Sequence, residues 1–262
     1  STHPDINMIS FTGSTIAGID IQEKAAKTVK RVSLELGGKS AHIVCEGVDL
    51  NAVIPNAINQ CFINSGQSCS APTRLLIPEV SINNIKNIIV NHIKTLIFND
   101  PNNENTTHGP VVNKKQYNTI QEFIKSGIDE GYEIVTGGLG NPDNCNNGYF
   151  IRPTVFINVD NSATIAQEEI FGPVLSIISY SSIDNAIDIA NNSKYGLSNY
   201  ITCLEYDDGY NIARRIHSGQ SIINKIGRGS VPAPFGGFKQ SGNGREHGKY
   251  GLEEYLEIKA II

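Results

Sequence analysis

The feature that most constrains this chain is an alternation that runs its whole length. Short β-type runs, bounded by glycine or polar turns, take turns with stretches whose apolar residues recur at helical spacing. Over 262 residues this predicts an α/β protein. Helices that join successive strands lay them side by side in a largely parallel sheet and cover its faces. Residues 8–12 are β-like and stop at Gly13, and a helix is expected over 15–30 with Ser14 as its N-cap. Residues 31–36 and 41–45 read as strands separated by Gly37-Gly38. Asp49 caps a helix on which Ala52, Val53, Ala57, Ile58 and Cys61 share a face, and Asn64-Ser65-Gly66 ends it. Further on the pattern gives strands at 73–77, 132–136, 154–159 and 174–180, and helices over 81–96 and 114–127. Loops are expected at 99–109 and 137–148. Ser182 opens another helix, and Tyr206, Tyr210, Ala213 and Ile216 are expected to line one face of the next. A strand at 221–223 leads into the last glycine-rich segment.

Composition narrows the function classes. A net charge of -5 argues against nucleic acid as a partner, since phosphate binding needs a basic face. No apolar run approaches the roughly 18 residues of a membrane span, and no signal peptide opens the sequence. Cys45, Cys61, Cys69, Cys145 and Cys203 are odd in number and lack CxxC spacing. They therefore suggest neither a disulfide framework nor a metal site, and point to a reducing cytoplasm. The six histidines are scattered and read as structural or surface residues. The sequence starts at Ser1 with apolar periodicity almost at once, as a section of a longer protein would.

Three segments carry chemistry. Cys69, in Gly66-Gln67-Ser68-Cys69, follows a glycine-broken helix end and so is expected on a tight turn. An ordinary thiol with a pKa of about 8.5 is only about 3% thiolate at neutral pH, so nucleophilic duty needs a base or a favourable local field. Taken alone, such a cysteine is better explained as a small buried hydrophobe. Glu35 ends an apolar strand before a Gly-Gly turn, where a desolvated carboxylate can serve as general base; a salt-bridged strand end would look the same. Phe11-Thr12-Gly13-Ser14-Thr15 is a strand-glycine-helix junction. Its helix N-terminus suits a pyrophosphate, although any tight βα turn shares the pattern.

Together with Glu35-Leu36-Gly37-Gly38-Lys39, Glu168-Glu169-Ile170-Phe171-Gly172-Pro173-Val174, Pro234-Phe235-Gly236-Gly237-Phe238-Lys239-Gln240-Ser241-Gly242 and Gly244-Arg245-Glu246, these segments resemble the aldehyde dehydrogenase superfamily in order and spacing. The resemblance covers nearly the whole chain. It implies a remnant of the Rossmann-like NAD(P)-binding domain at 1–37, a catalytic domain at 38–240, and a segment at 241–262 returning toward the cofactor domain or a subunit interface. By similarity, Cys69 attacks an aldehyde, hydride passes to NAD or NADP, and Glu35 activates the water that hydrolyses the resulting thioester. The resemblance also implies that Gly13 and Ser14 meet the pyrophosphate and that Leu36 and Gly37 approach the nicotinamide. Glu169 would bind a ribose, Phe171 would pack beside the nicotinamide, and Phe235 would line the substrate tunnel. Asn224 matches an asparagine of the site's architecture. In this family a second oxyanion donor and the lysine for the adenosine ribose come from a preceding half that this sequence does not include, so little or no dehydrogenase turnover is expected from this chain alone. Dimers or tetramers are implied for the intact enzyme. The alternatives are a cofactor-independent cysteine esterase and a non-enzymatic truncated product. A CoA-acylating member is disfavoured by Glu35.

Overall fold

Helix starts follow from side chains that satisfy orphan backbone N–H groups. Ser14, Asp49, Asn113 and Ser182 each accept a hydrogen bond from a first-turn amide. The computed structural model describes residues 1–143, 145, 147–225 and 230–262. Positions 144 and 146 of the loop expected at 137–148 lie outside the described residues. The chain runs β1 (Met8–Thr12), α1 (Thr15–Ala26), β2 (Arg31–Glu35), β3 (Ala41–Val44), α2 (Leu50–Phe62), β4 (Arg74–Pro78) and α3 (Lys86–Ile93). It continues through α4 (Lys114–Asp129), β5 (Glu133–Thr136), β6 (Thr154–Ile157), α5 (Thr164–Gln167), β7 (Val174–Tyr180) and α6 (Ile183–Asn191). Last come β8 (Tyr195–Gly196), β9 (Ser198–Thr202), α7 (Tyr206–Ala213), β10 (Gln220–Ile223), β11 (Phe238–Lys239) and α8 (Gly248–Glu253).

Seven strands form one sheet in the order β10-β9-β3-β4-β7-β6-β5, parallel throughout except for the β5–β6 pair. Side-chain alternation fills both faces. Leu75, Ile77, Leu175 and Ile177 pack with Ile54, Ile58 and Phe62 of α2 and Ile89 of α3. On the other face Ile43, Leu76 and Ile201 meet Ala186 and Ile187 of α6 and Ile212 of α7. Phe156 and Ile178 meet Ile120 and Ile124 of α4 there.

β2 pairs in parallel with β1 in a separate two-stranded sheet, and Gly37 to Ser40 carry the chain between the two sheets. The structure departs from the sequence reading at three places. Helix α1 ends at Ala26 because Val29 turns left-handed, with φ 55°. The helix expected over 81–96 is a 3-10 stretch, Glu79–Asn84, followed by α3. Tyr206 and Tyr210 face solvent, at 60% and 50% exposure, while Gly209 and Ile212 are the buried residues of α7; Ile216, just past its end, is buried as expected.

Candidate active site

Three segments converge between the C-terminal end of β2 and the N-terminal ends of β3 and β4. The first ends in Glu35, which is only 3% exposed. Its backbone is held on one side by the Gly13 amide, which donates to the Glu35 carbonyl at 3.1 Å, and on the other by an antiparallel bridge to Gly242. Neither carboxylate oxygen has a hydrogen-bond partner among the described residues. Gly236 closes over the carboxylate: a Cβ there would stand 2.6 Å from Oε1. Burial, and then the Glu246 carboxylate, push the Glu35 pKa up to about 8, against the lowering pull of Arg245.

The second segment is a ledge of bare backbone. A Cβ on Gly37 would lie 2.1 Å from Glu169 Oε2, and one on Gly38 would lie 2.3 Å from the Cys69 carbonyl oxygen. Neither position has room for a side chain. The Gly38 amide donates to Glu169 Oε1 at 3.0 Å. Burial raises the Glu169 pKa, opposed by that hydrogen bond and by Lys39. Lys39 is itself buried, and desolvation followed by the Arg74 charge lowers it to about 7.

The third segment brings in Cys69. After α2 the chain turns through Asn64 and Ser65, both left-handed at φ 51° and 55°. Gly66 then presses on the 171–173 backbone, where a Cβ would come 2.1 Å from the Gly172 carbonyl oxygen. Ser65 Oγ anchors the turn by donating to the Gly109 carbonyl at 2.7 Å. Half-buried Cys69 lies on the following tight turn, closed by the Ala71 amide donating to the Ser68 carbonyl at 3.1 Å. Burial raises its pKa, as do the Glu169 and Glu35 carboxylates, while its own amide and that of Ser70 pull the other way. At neutral pH this is a resting thiol with two carboxylates near it.

The other expected residues are distributed around this centre. Gly13 and Ser14 are exposed at the start of α1, with Ser14 Oγ accepting from the Ala17 amide at 3.3 Å. Leu36 is buried against Gly18, and its amide donates to the Ser241 carbonyl at 2.9 Å. Phe171 is left-handed at φ 54°, and Gln116 Nε2 donates to the carbonyls of Ile170 and Phe171. Phe235 exchanges two 2.7 Å backbone bonds with Glu246, and its ring lies 5.9 Å from that of His247. Asn224 is committed elsewhere: its side-chain oxygen accepts from the Cys203 amide at 2.9 Å.

Sequence reasoning missed the residues that brace the site. Arg74 is 2% exposed and spans β4 to the end of α6. Its Nε donates to the Lys39 carbonyl, and its terminal nitrogens donate to Asn161 Oδ1 and the Ile189 and Ala190 carbonyls. An arginine opening the otherwise apolar run Arg74-Leu75-Leu76-Ile77 was the available signal, because a charge is buried only when its hydrogen bonds are satisfied. Gly236 and Arg245, which enclose Glu35, carried no signal beyond their motif.

A model of the aldehyde dehydrogenase family matches residues 1–261. The chain belongs to this family. A protein of Staphylococcus haemolyticus, provisionally named an aldehyde dehydrogenase, is 48% identical over all of this chain and 55% of its own length. Among solved structures, aldehyde dehydrogenase C of Pseudomonas syringae superposes with TM-score 0.97 at 45% identity, over 99% of this chain and 53% of the other. That structure is of a cysteine-to-alanine mutant holding NAD+ and octanal. The Mycobacterium tuberculosis aldehyde dehydrogenase in complex with NAD+ gives TM-score 0.93 at 43% identity, covering 96% of this chain and 52% of that one. The chain thus spans about half the length of the family members it matches.

Proposed function

We propose that this chain carries the catalytic machinery of an NAD(P)-dependent aldehyde dehydrogenase, with Cys69 as nucleophile and Glu35 as general base. The observation that supports it best is the convergence of Cys69, Glu35 and Glu169 on a side-chain-free ledge at Gly37-Gly38. The residues present fit a dinucleotide. The bare backbone at Gly37 and Gly38 lets the Glu169 carboxylate and the Cys69 turn close against it, which sets Glu169 at the ledge to meet a ribose, and the N-terminus of α1 at Gly13 and Ser14 is open to phosphate. Leu36 and Phe171 complete that cradle in this reading, and Phe235 borders the aldehyde's path. The proposed division is a cofactor-binding remnant at 1–37, a catalytic body at 38–240 and a returning segment at 241–262. The two-stranded sheet β1–β2, separate from the main sheet, supports it. The five free cysteines fit a reducing cytoplasm.

In this chemistry the Cys69 sulfur adds to the aldehyde carbon and the thiol proton leaves. When bound, the dinucleotide supplies the hydride acceptor. Cys69 is then left as a thioester, and Glu35 takes a proton from a water whose oxygen attacks the acyl carbon. The carbon–sulfur bond breaks, the acid departs and the thiol is restored. Glu35 can only act once ionised, so hydrolysis should rise as pH climbs through about 8.

The test is the alkylation rate of each cysteine at neutral pH, read by peptide mass spectrometry with and without NAD. Cys69 is expected to react far faster than the other four, with a rate that NAD changes. Equal reactivity among the five would defeat the assignment.

A further inference from the structure

Two cysteines that this chemistry does not use lie side by side elsewhere in the sheet. β3 and β9 are parallel neighbours in a register that ends at Val44↔Thr202. One step further the Cys45 amide still donates to the Thr202 carbonyl at 2.8 Å, so Cys45 and Cys203 continue the register. Both side chains belong to the apolar cluster that holds Ile43, Ile201 and Ile212, hence to the same face of the sheet. The two thiols are close enough to influence one another's titration, and the Cys203 thiol donates to the Glu205 carbonyl at 3.0 Å. Parallel neighbours stand about 4.8 Å apart, inside the Cα separation of roughly 4.4–6.8 Å that a disulfide spans. Both residues lie just past the strand ends, where the backbone can yield the last few tenths of an ångström. Both also line a cavity of about 500 Å³ with Tyr180, Leu204 and Arg215, so a small oxidant can reach the sulfurs.

We propose that Cys45 and Cys203 are a dithiol modification site, oxidised by hydrogen peroxide to a reversible disulfide. The sulfur of one cysteine attacks the peroxide and breaks its O–O bond, giving a sulfenic acid and one water. The second thiol then displaces the sulfenic oxygen as a second water and forms the S–S bond. Two thiols lose two electrons and two protons, and the peroxide is reduced to two waters. Burial raises both thiols, Cys45 to about 12, and neighbouring Asp208 adds to the rise, so pairing is slow. The bond would tie the ends of β3 and β9 beside Asn224, whose side chain already holds the Cys203 amide.

Hours of treatment of the full chain with hydrogen peroxide should yield one cross-linked peptide pair containing Cys45 and Cys203. It should form equally in Cys69→Ala, vanish with dithiothreitol and be absent from Cys203→Ser. The wild-type result stands without the variants. The proposal is overturned if both thiols remain alkylatable after unfolding, if they carry separate sulfinic acids, or if either is linked to a different cysteine.

Discussion

At the scale of single residues, Glu35 shows how a reactive group is held in a state that disfavours folding. Both its oxygens are buried without a donor, and its pKa is raised from 4.5 to about 8. Between those values the folded chain keeps a proton that the unfolded chain gives up, so stability falls as pH rises across the window. The loss is complete above about 8, and by linkage it amounts to a few kcal/mol. Glu35→Gln should remove that slope. Its urea midpoint should exceed the parent's clearly at pH 9 and match it closely near pH 5, whereas parallel curves would mean that Glu35 is not desolvated as described. The same variant should lose about 10²–10⁴ in thioester hydrolysis, measured with an acylated Cys69. Arg74 is the opposite case, a buried charge with its hydrogen bonds made. Arg74→Leu leaves the Lys39, Ile189 and Ala190 carbonyls without this donor and should cost about 3–5 kcal/mol in denaturant titrations.

At the scale of elements, the turn between α2 and β4 sets where Cys69 stands. Gly66 has φ 75° and touches the Gly172 backbone. Gly66→Ala should therefore cost roughly 1–3 kcal/mol and slow Cys69 alkylation in the same protein. An unchanged alkylation rate would separate the turn from the site. This element also shows what could be read in advance. Asn64-Ser65-Gly66 was legible as a stop because its residue types tolerate left-handed backbone, and Cys69 and Glu35 were legible through their motifs. β9 was not. Its sequence Ser198-Asn199-Tyr200-Ile201-Thr202 is buried despite its polar residues, because Asn199 Nδ2 is satisfied by Ser218, Gln220 and Ser221. Local apolar pattern cannot report partners that lie twenty residues away. Tyr206 and Tyr210 misled for a related reason: aromatic spacing suggested a buried stripe, but Gly209 lets α7 approach β10 through the small-residue face, with Ile223 against it.

At the scale of the whole molecule, the two sheets differ in how much they are enclosed. The seven-stranded sheet is covered on both faces, whereas β1 and β2 form a pair whose helix α1 buries only Gly18 and Ala25. A cofactor held mainly by that pair has few partners, so NAD(P)H formation by this chain with an aldehyde should be at or near background in a steady-state assay. Robust aldehyde-dependent turnover would sink that expectation. Ile16 and Val29 are 82% and 90% exposed on the same unit. An apolar, half-open unit of this kind favours self-association, so the elution volume in size exclusion should shift with concentration.

The way Glu35 is enclosed bears on the order of events during synthesis. Leu34 is fastened to Asn243 across 209 positions, Leu36 to Ser241, and Gly236 and Arg245 complete the wall. The ledge and the Cys69 turn also draw on Leu197, which packs against Gly38, and on Tyr200, whose hydroxyl donates to the Ser70 carbonyl, so a nascent chain can complete them once about 200 residues are out. The base cannot be desolvated until residue 245 has left the ribosome, because contacts this distant in sequence close last. A nascent chain thus carries its nucleophile for about 45 residues before the group that would turn over an acylated sulfur is in place.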